Sequence, residues 1–386
     1  MLATTTPDPL DAHALRALRD KLSSPPRLGL LSMLAADKRH SLLSSFSRYL
    51  NARSGPGRLT AGEYLKYGSG NISYYELMRF AGVNVVKKMH AACNDPGWFA
   101  VTKNKLLFET VMKGAGLAVP QTIAAWDRKG RGGDARLLAN EDQLRTFLAR
   151  YSKEPIFAKP VTGVYSLGVL GLDGFDGREV TVNGTHRASV PRLIEFMNAM
   201  SAKGYMFQRR LLPDPEFAAA TGIAGLATLR FMVLIGDRGP VVEACVAKLP
   251  GVGQVADNFW RDGAILCGID GETGRIHRAA SSIRGKRGAT LIVDADEDAD
   301  GVHRLAGRPV PQFNAAASLA VRAARHLPGI RTQSWDVAMT DSGPVLLEVN
   351  FGGDVSLIQI GNGRGILSDS FCRHLRECGY KGNLPD

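Results

Sequence analysis

Long apolar runs are missing from this sequence. The longest, such as Phe231–Ile235 and Val345–Leu347, fall far short of the ~18 residues that a membrane helix needs, so no bilayer crossing is expected. The opening residues carry Asp8, Asp11 and two prolines, Pro7 and Pro9, where a secretory signal needs a basic end followed by an apolar stretch. Residence in the cytoplasm is expected. Cysteine is scarce: Cys93, Cys245, Cys267, Cys372 and Cys378 are an odd number without a C-x-x-C pair. That suits a reducing compartment, argues against a zinc cluster, and reads as ordinary buried thiols. No histidine pair has H-E-x-x-H spacing, and neither a G-x-x-x-x-G-K-[ST] loop nor a G-x-S-x-G elbow occurs. Polybasic tracts and aromatic–basic interleaving are also lacking, which disfavours single-stranded nucleic acid as a partner.

What is present is enough for a sizeable core. The chain has 386 residues, 45% of them hydrophobic, a soft expectation of about two to three domains. Its 48 Lys and Arg against 37 Asp and Glu give a formal charge of +11, spread in short groups such as Arg209-Arg210 and Arg284-Gly-Lys286-Arg287. Such a field attracts anions, whether phosphates, acidic substrates or polyanions.

The first hundred residues read as helices separated by Ser23-Ser-Pro-Pro26 and Arg53-Ser-Gly-Pro-Gly57, with Leu15, Leu18 and Leu22, and then Leu42, Leu43, Phe46 and Leu50, at helical spacing. A helix capped by Asn104 ends near Gly114 or Gly116, and Pro120 leads into a strand at residues 122–126. A helix at 142–151 precedes the strand Pro155-Ile-Phe-Ala-Lys-Pro160 and a glycine-bearing turn, Thr162–Gly168. Beyond it strands dominate: a hairpin of 227–235 and 241–248, further strands at 264–270 and 275–278, and a hairpin of 334–340 and 345–350. Residues 281–312 read as a loop or insertion. Helices at 313–327 and 366–378 complete the expectation, and Gly361-Asn-Gly-Arg-Gly365 reads as a loop because its third glycine is one residue early for a dinucleotide fingerprint.

One constellation stands out. In a strand side chains alternate, so Glu348 and Asn350 share a face, and a tight turn sets Asp336 beside them. Three hard oxygens in one place suit Mg²⁺, which takes a few carboxylate or amide ligands and completes its shell with water and phosphate. Lys159, ending an apolar strand before a glycine loop, is placed to meet a polyphosphate.

The order of these pieces resembles the ATP-grasp superfamily over about residues 100–386. The pieces are Lys105 after Asn104, Gly116–Pro120, the Phe157–Pro160 strand, Phe207-Gln-Arg-Arg-Leu211, Thr228-Leu-Arg230, Asp257-Asn258, Asp336 and Leu347-Glu-Val-Asn350. Within it the chain is most similar to the sugar-transfer-associated domains related to α-L-glutamate ligases. The resemblance implies an α+β fold of two lobes with nucleotide between antiparallel sheets: a helical region at 1–100, an N-lobe at 101–211 and a C-lobe at 212–386. It further implies that Lys105 and Lys159 hold phosphates beneath a flap from Gly163 through Ser166 to Gly168. Gln208, Arg209, Arg210 and Leu211 form the adenine-reading hinge, and Glu216 meets the ribose. Arg230, Lys248 and Asn258 serve catalysis, while Asp336, Glu348 and Asn350 bind Mg²⁺.

Three features depart from the family's pattern: Val164, Tyr165 and Leu167 make a bulky flap, Arg209-Arg210 occupies a hinge position where an acid is common, and no Rossmann-like domain precedes the lobes. The expected activity is an ADP-forming ligase joining a carboxylate and an amine, both small molecules, through an acyl phosphate. The basic excess favours acidic or phosphorylated acids. A kinase acting on a hydroxyl and a non-catalytic nucleotide- or nucleic-acid-binding protein stand as alternatives.

Overall fold

The computed structural model describes residues 8–23, 41–67, 72–129, 135–163, 166–251, 254, 258–260, 263–284, 290–295, 305–351 and 355–385. The chain divides into two compact units, Met1–Ser24 with Lys103–Leu212, and Pro25–Thr102 with Pro213–Asp386. The helices expected over the first hundred residues are thus shared between the two. Among the described residues no helix is long and apolar enough to cross a membrane.

The first unit is built on a seven-stranded sheet of β1 (Thr122–Trp126), β2 (Leu137–Leu138), β3 (Ile156–Pro160), β4 (Leu170–Phe175), β5 (Glu179–Val182), β6 (His186–Ser189) and β7 (Tyr205–Arg209), in the order β2-β1-β7-β3-β4-β5-β6. Only the β1–β2 pair is parallel. Its helices begin where side chains can take up free backbone N–H groups. Asn104 accepts from Leu106 and Leu107 at the head of Lys105–Gly114, Asn140 from Gln143 at Glu141–Arg150, and Ser189 from Arg192 at Val190–Met200. Phe147, Leu144, Leu193, Phe196 and Phe207 join one core, each stabilising by roughly 1.5–3 kcal/mol relative to exposure.

The second unit carries an all-antiparallel sheet of β8 (Thr228–Gly236), β9 (Gly239–Leu249), β10 (Ile265–Ile269), β11 (Ile276–Arg284), β12 (Thr290–Asp294), β13 (Thr332–Thr340) and β14 (Gly343–Asn350), ordered β12-β11-β10-β9-β8-β13-β14. Every residue of β13 is buried. That pattern marks a central strand covered on both faces. Helix Phe313–Ala324 packs on β8, β13 and β14, and helix Val355–Asn362 on β9, β10 and β11.

Two expectations need correction, and one helix forms as expected with a buried face of its own. Residues 281–312 are not simply a loop: β11 runs to Arg284 and β12 follows it, the two pairing from Ala280↔Asp294 to Arg284↔Thr290. β12 is only five residues long and lies at the sheet edge, and β11 mixes His, Arg and Ser into its run, so neither shows a clean alternation in sequence. Gly361 and Asn362 are not loop but the end of helix Val355–Asn362. A β-carbon at Gly361 would lie 2.6 Å from Val246 Cγ1, so this glycine exists to let helix and sheet approach closely. Lastly, helix Leu42–Ser54 forms, yet it buries Ser45, Tyr49 and Ala52 and leaves Leu43 83% exposed.

Candidate functional site

In the second unit, the inner strands β9, β8 and β13 and the edge strand β14 beside them carry charge inside an otherwise apolar ladder. Arg230 pairs across with Asp336, and Asp336 with Glu348. The Arg230 guanidinium donates a two-pronged pair of hydrogen bonds to Asp336, Nε to Oδ1 at 2.7 Å and Nη2 to Oδ2 at 2.8 Å, while Lys248 Nζ donates to Oδ2 at 2.9 Å. All three residues are at most 8% exposed. Burial alone would push the Asp336 carboxyl up, but the charges of Arg230 and Lys248 and their hydrogen bonds override it. They hold it well below the usual carboxylate range.

Glu348 and Asn350 lie on the same face of β14, half-buried, with Asn350 Nδ2 3.5 Å from Glu348 Oε1. Ser334, opposite Asn350 and two residues before Asp336, extends the polar strip. The structure therefore brings Asp336, Glu348, Asn350, Arg230 and Lys248 together on one face, with both Asp336 oxygens already engaged by cations. Asn258 is buried and its Oδ1 accepts from Trp260 N at 3.0 Å, while Asp257 lies outside the described residues. Glu216 sits exposed in the first turn of helix Pro215–Thr221.

In the first unit, Lys159 is a buried residue of β3 with its ammonium 5.9 Å from the Phe157 ring centre. Lys105 opens helix Lys105–Gly114. Its backbone N–H donates to Val161 O at 3.0 Å and its Nζ to Gly163 O at 3.4 Å. Both lysines thus border the loop after β3. That loop is anchored at its far end: Tyr205 Oη donates to Gly168 O at 3.0 Å, and Gly168 takes φ +78° with a hypothetical β-carbon 2.7 Å from Tyr205 Oη. Ser166 also has positive φ. Val164 and Tyr165 lie outside the described residues.

At the end of β7, Arg209 and the following Arg210 part ways. Arg209 is paired with Glu154 at the surface, and Arg210 Nη1 sits 2.6 Å from Asp173 Oδ1 while its Nε and Nη2 are buried without a hydrogen bond. Leu211 is half-buried. Gln208 turns inward, donating to Glu109 Oε2 at 3.2 Å and Thr122 Oγ1 at 3.1 Å. Sequence reasoning missed Glu109 and Thr122. The only signal was an acid inside a helix whose neighbours Phe108 and Met112 are core residues.

The sequence model of sugar-transfer associated ATP-grasp proteins matches residues 85–373, three quarters of the chain. The chain belongs to the sugar-transfer associated ATP-grasp family. Its α+β architecture of two largely antiparallel sheets with a helical N-terminal region is the ATP-grasp fold in this protein. Among solved structures, it is similar to the VanG D-Ala:D-Ser ligase of Enterococcus faecalis, at 14% identity over 74% of this chain and 63% of that one, with a TM-score of 0.43. An N5-carboxyaminoimidazole ribonucleotide synthetase in complex with ADP matches at 14% identity, 74% and 54% coverage and TM-score 0.38. A RimK domain ATP-grasp protein of Sphaerobacter thermophilus matches at 14%, 69% and 67%, and 0.34. The chain spans less than two thirds of the length of the first two. Among curated proteins, none matches the sequence.

Proposed function

We propose that this ATP-grasp protein is an ATP-dependent carboxylate–amine ligase that forms an amide and releases ADP and orthophosphate. The observation that carries the reading is the Arg230–Asp336–Lys248 set beside Glu348 and Asn350, charge placed deliberately in the middle of a buried ladder. Burying charges costs several kcal/mol per ion unless they are paired.

The donor chemistry also fits a divalent cation. Glu348 and Asn350 offer neighbouring half-buried oxygens, and they would hold Mg²⁺ together with Asp336. When bound, the ion would neutralise charge on the phosphates. The chain's own groups do the rest. Arg230 and Lys248, fixed by Asp336, face the transferring phosphoryl group with donors that need little reorganisation. Lys105 and Lys159 hold phosphate oxygens, Gln208 to Leu211 read the adenine, Glu216 meets the ribose, and Asn258 orients substrate.

The phosphoryl group passes from ATP to a carboxylate oxygen, giving ADP and an acyl phosphate. The amine nitrogen then attacks the carbonyl carbon, orthophosphate leaves with the C–O electron pair, and the amine proton goes to solvent. No protein nucleophile takes part. The basic excess favours acidic or phosphorylated acids as donors.

A screen of amino acids and small carboxylic acids for ATP-dependent phosphate release, followed by product mass, tests this. Release of ADP and phosphate that depends on both acid and amine, with hydroxylamine trapping a hydroxamate, is expected. AMP with pyrophosphate would overturn the reading, and a stable phosphate ester without hydroxamate would make the protein a kinase.

A further inference from the structure

A second cluster, independent of the nucleotide reading, lies elsewhere in the second unit. Cys93 ends helix Val83–Cys93. His374 and Cys378 fall one turn apart at the close of helix Asp369–Glu377. The Cys93 sulfur, a ring nitrogen of His374 and the Cys378 sulfur all lie within 4.8 Å of one another. Cys93 and His374 are buried and Cys378 is half-exposed, so the group has one side open to solvent. His374 Nε2 is 3.5 Å from Cys378 Sγ and 3.2 Å from Thr332 Oγ1, and the thiols of Cys93 and Cys378 are hydrogen-bonding neighbours.

From this arrangement the geometry points to a binding site for a thiophilic divalent ion of the zinc class, held by Cys93, His374 and Cys378. Zinc bonds of about 2.3 Å to sulfur and 2.0–2.1 Å to nitrogen, set at a tetrahedral angle, separate the two ligand atoms by roughly 3.5 Å. That separation is already present between Cys378 and His374. Two thiolates and a neutral imidazole carry two negative charges, which one divalent ion neutralises in a setting where net charge is costly. Soft sulfur and imidazole donors select zinc over magnesium. The fourth position falls to water or to the Thr332 hydroxyl.

Thr332 is itself held in place: its backbone N–H donates to Asn94 Oδ1 at 2.9 Å, and Asn94 Nδ2 donates to Thr332 O at 3.1 Å. The ion would tie the helix ending at Cys93 to β13 and to the final helix. Sequence spacing gave no hint of it, because the ligands come from positions 93, 374 and 378. Cys93 lies within the family match at residues 85–373, and His374 and Cys378 lie just beyond it.

Cobalt titration of the reduced, chelator-stripped full-length protein reads the site directly. One Co²⁺ per chain is expected, with a sulfur-to-cobalt charge-transfer band and intense tetrahedral d–d bands, all erased by Zn²⁺. Cys93→Ser and Cys378→Ser should each lose most of the charge-transfer intensity, His374→Ala should lose the tetrahedral bands, and Cys372→Ala should keep both. Cobalt held by the oxygens of Glu348 and Asn350 gives no sulfur band, so the two sites are separable. Because a variant could fold poorly, zinc should also raise the melting temperature of the unmodified protein. Absence of any sulfur band at stoichiometric cobalt would overturn the site. So would a Cys93–Cys378 disulfide, seen as a loss of two hydrogens in mass, forming equally well with zinc present.

Discussion

The two units handle positive charge in different ways. In the second, Arg230 and Lys248 are locked onto one buried carboxylate by three hydrogen bonds of 2.7–2.9 Å. In the first, Lys105 Nζ meets a loop carbonyl at 3.4 Å, Lys159 lies near an aromatic ring, and the buried Nε and Nη2 of Arg210 have no hydrogen bond among the described residues. One unit therefore presents charge that the fold itself has fixed, and the other presents charge next to a glycine loop. The lesson is that removing a member of the Arg230–Asp336–Lys248 set should harm folding, and that removing Lys105 or Lys159 should harm ligand binding.

Asp336→Asn is the strongest way to break that contrast. It removes the negative charge that buried Arg230 and Lys248 both engage, which should cost about 3–5 kcal/mol of stability in urea melts and remove turnover as well. Unchanged stability would show that the ion set is relaxed by water and not fixed by the fold.

Acid sharpens it next. His90 is buried with neither ring nitrogen hydrogen-bonded, and desolvation lowers its pKa from 6.5 to about 4. The unfolded chain therefore binds this proton first. The neutral ring's contribution is complete above pH 6.5 and is lost as pH falls from 6.5 towards 4. At 1.36 kcal/mol per unit this amounts to about 3 kcal/mol. Asp336 acts in a separate window: its folded pKa is depressed, so its contribution is complete above the ordinary carboxylate pKa and is lost as pH falls from there towards the folded value. His90→Leu should flatten the stability profile between pH 4 and 6.5, and a profile unchanged by that substitution would assign the slope to another group.

For the first unit, Gly168→Ala tests whether the loop after β3 is held at its far end. Positive φ and the Tyr205 hydroxyl both oppose a β-carbon there, for about 1–3 kcal/mol. Burial pushes the Tyr205 phenol well above its ordinary pKa, so it remains a neutral donor and the penalty should not vary between pH 6 and 9. Thermal melts at the two ends of that range decide it.

Much of this was legible because local chemistry and fold agree. Asn104 announces its helix, Thr122–Trp126 is a strand with the expected ends, and the E-x-N spacing puts Glu348 and Asn350 on one face. What was hidden depends on tertiary pairing. Strand register alone decides that Asp336 lies between Arg230 and Glu348, and so that its oxygens meet cations. Helix Val355–Asn362 was obscured by the glycine that serves close packing, β12 by its shortness at the sheet edge, and the Cys93–His374–Cys378 cluster by separation along the chain.

The smallest expected effect on folding is also the one that weighs most on function. Glu348 is half-buried at the end of β14, its carboxylate beside Asn350 on the polar strip, whereas Asp336 one strand away is fully enclosed. Glu348→Gln keeps the shape and most hydrogen-bonding capacity and removes only the charge. Substitutions of that kind outside a buried ion set stay within about 0.5 kcal/mol, so the melting temperature of the ligand-free protein should hardly move. A divalent cation, however, needs that charge. Turnover should fall to near zero, and the rise in melting temperature that Mg·ATP gives by binding the native state should vanish, while Asp336→Asn loses both properties at once. A Glu348→Gln protein that melts early would place Glu348 with Asp336 in the structural set. One that still turns over with Mg·ATP would remove it from the metal site.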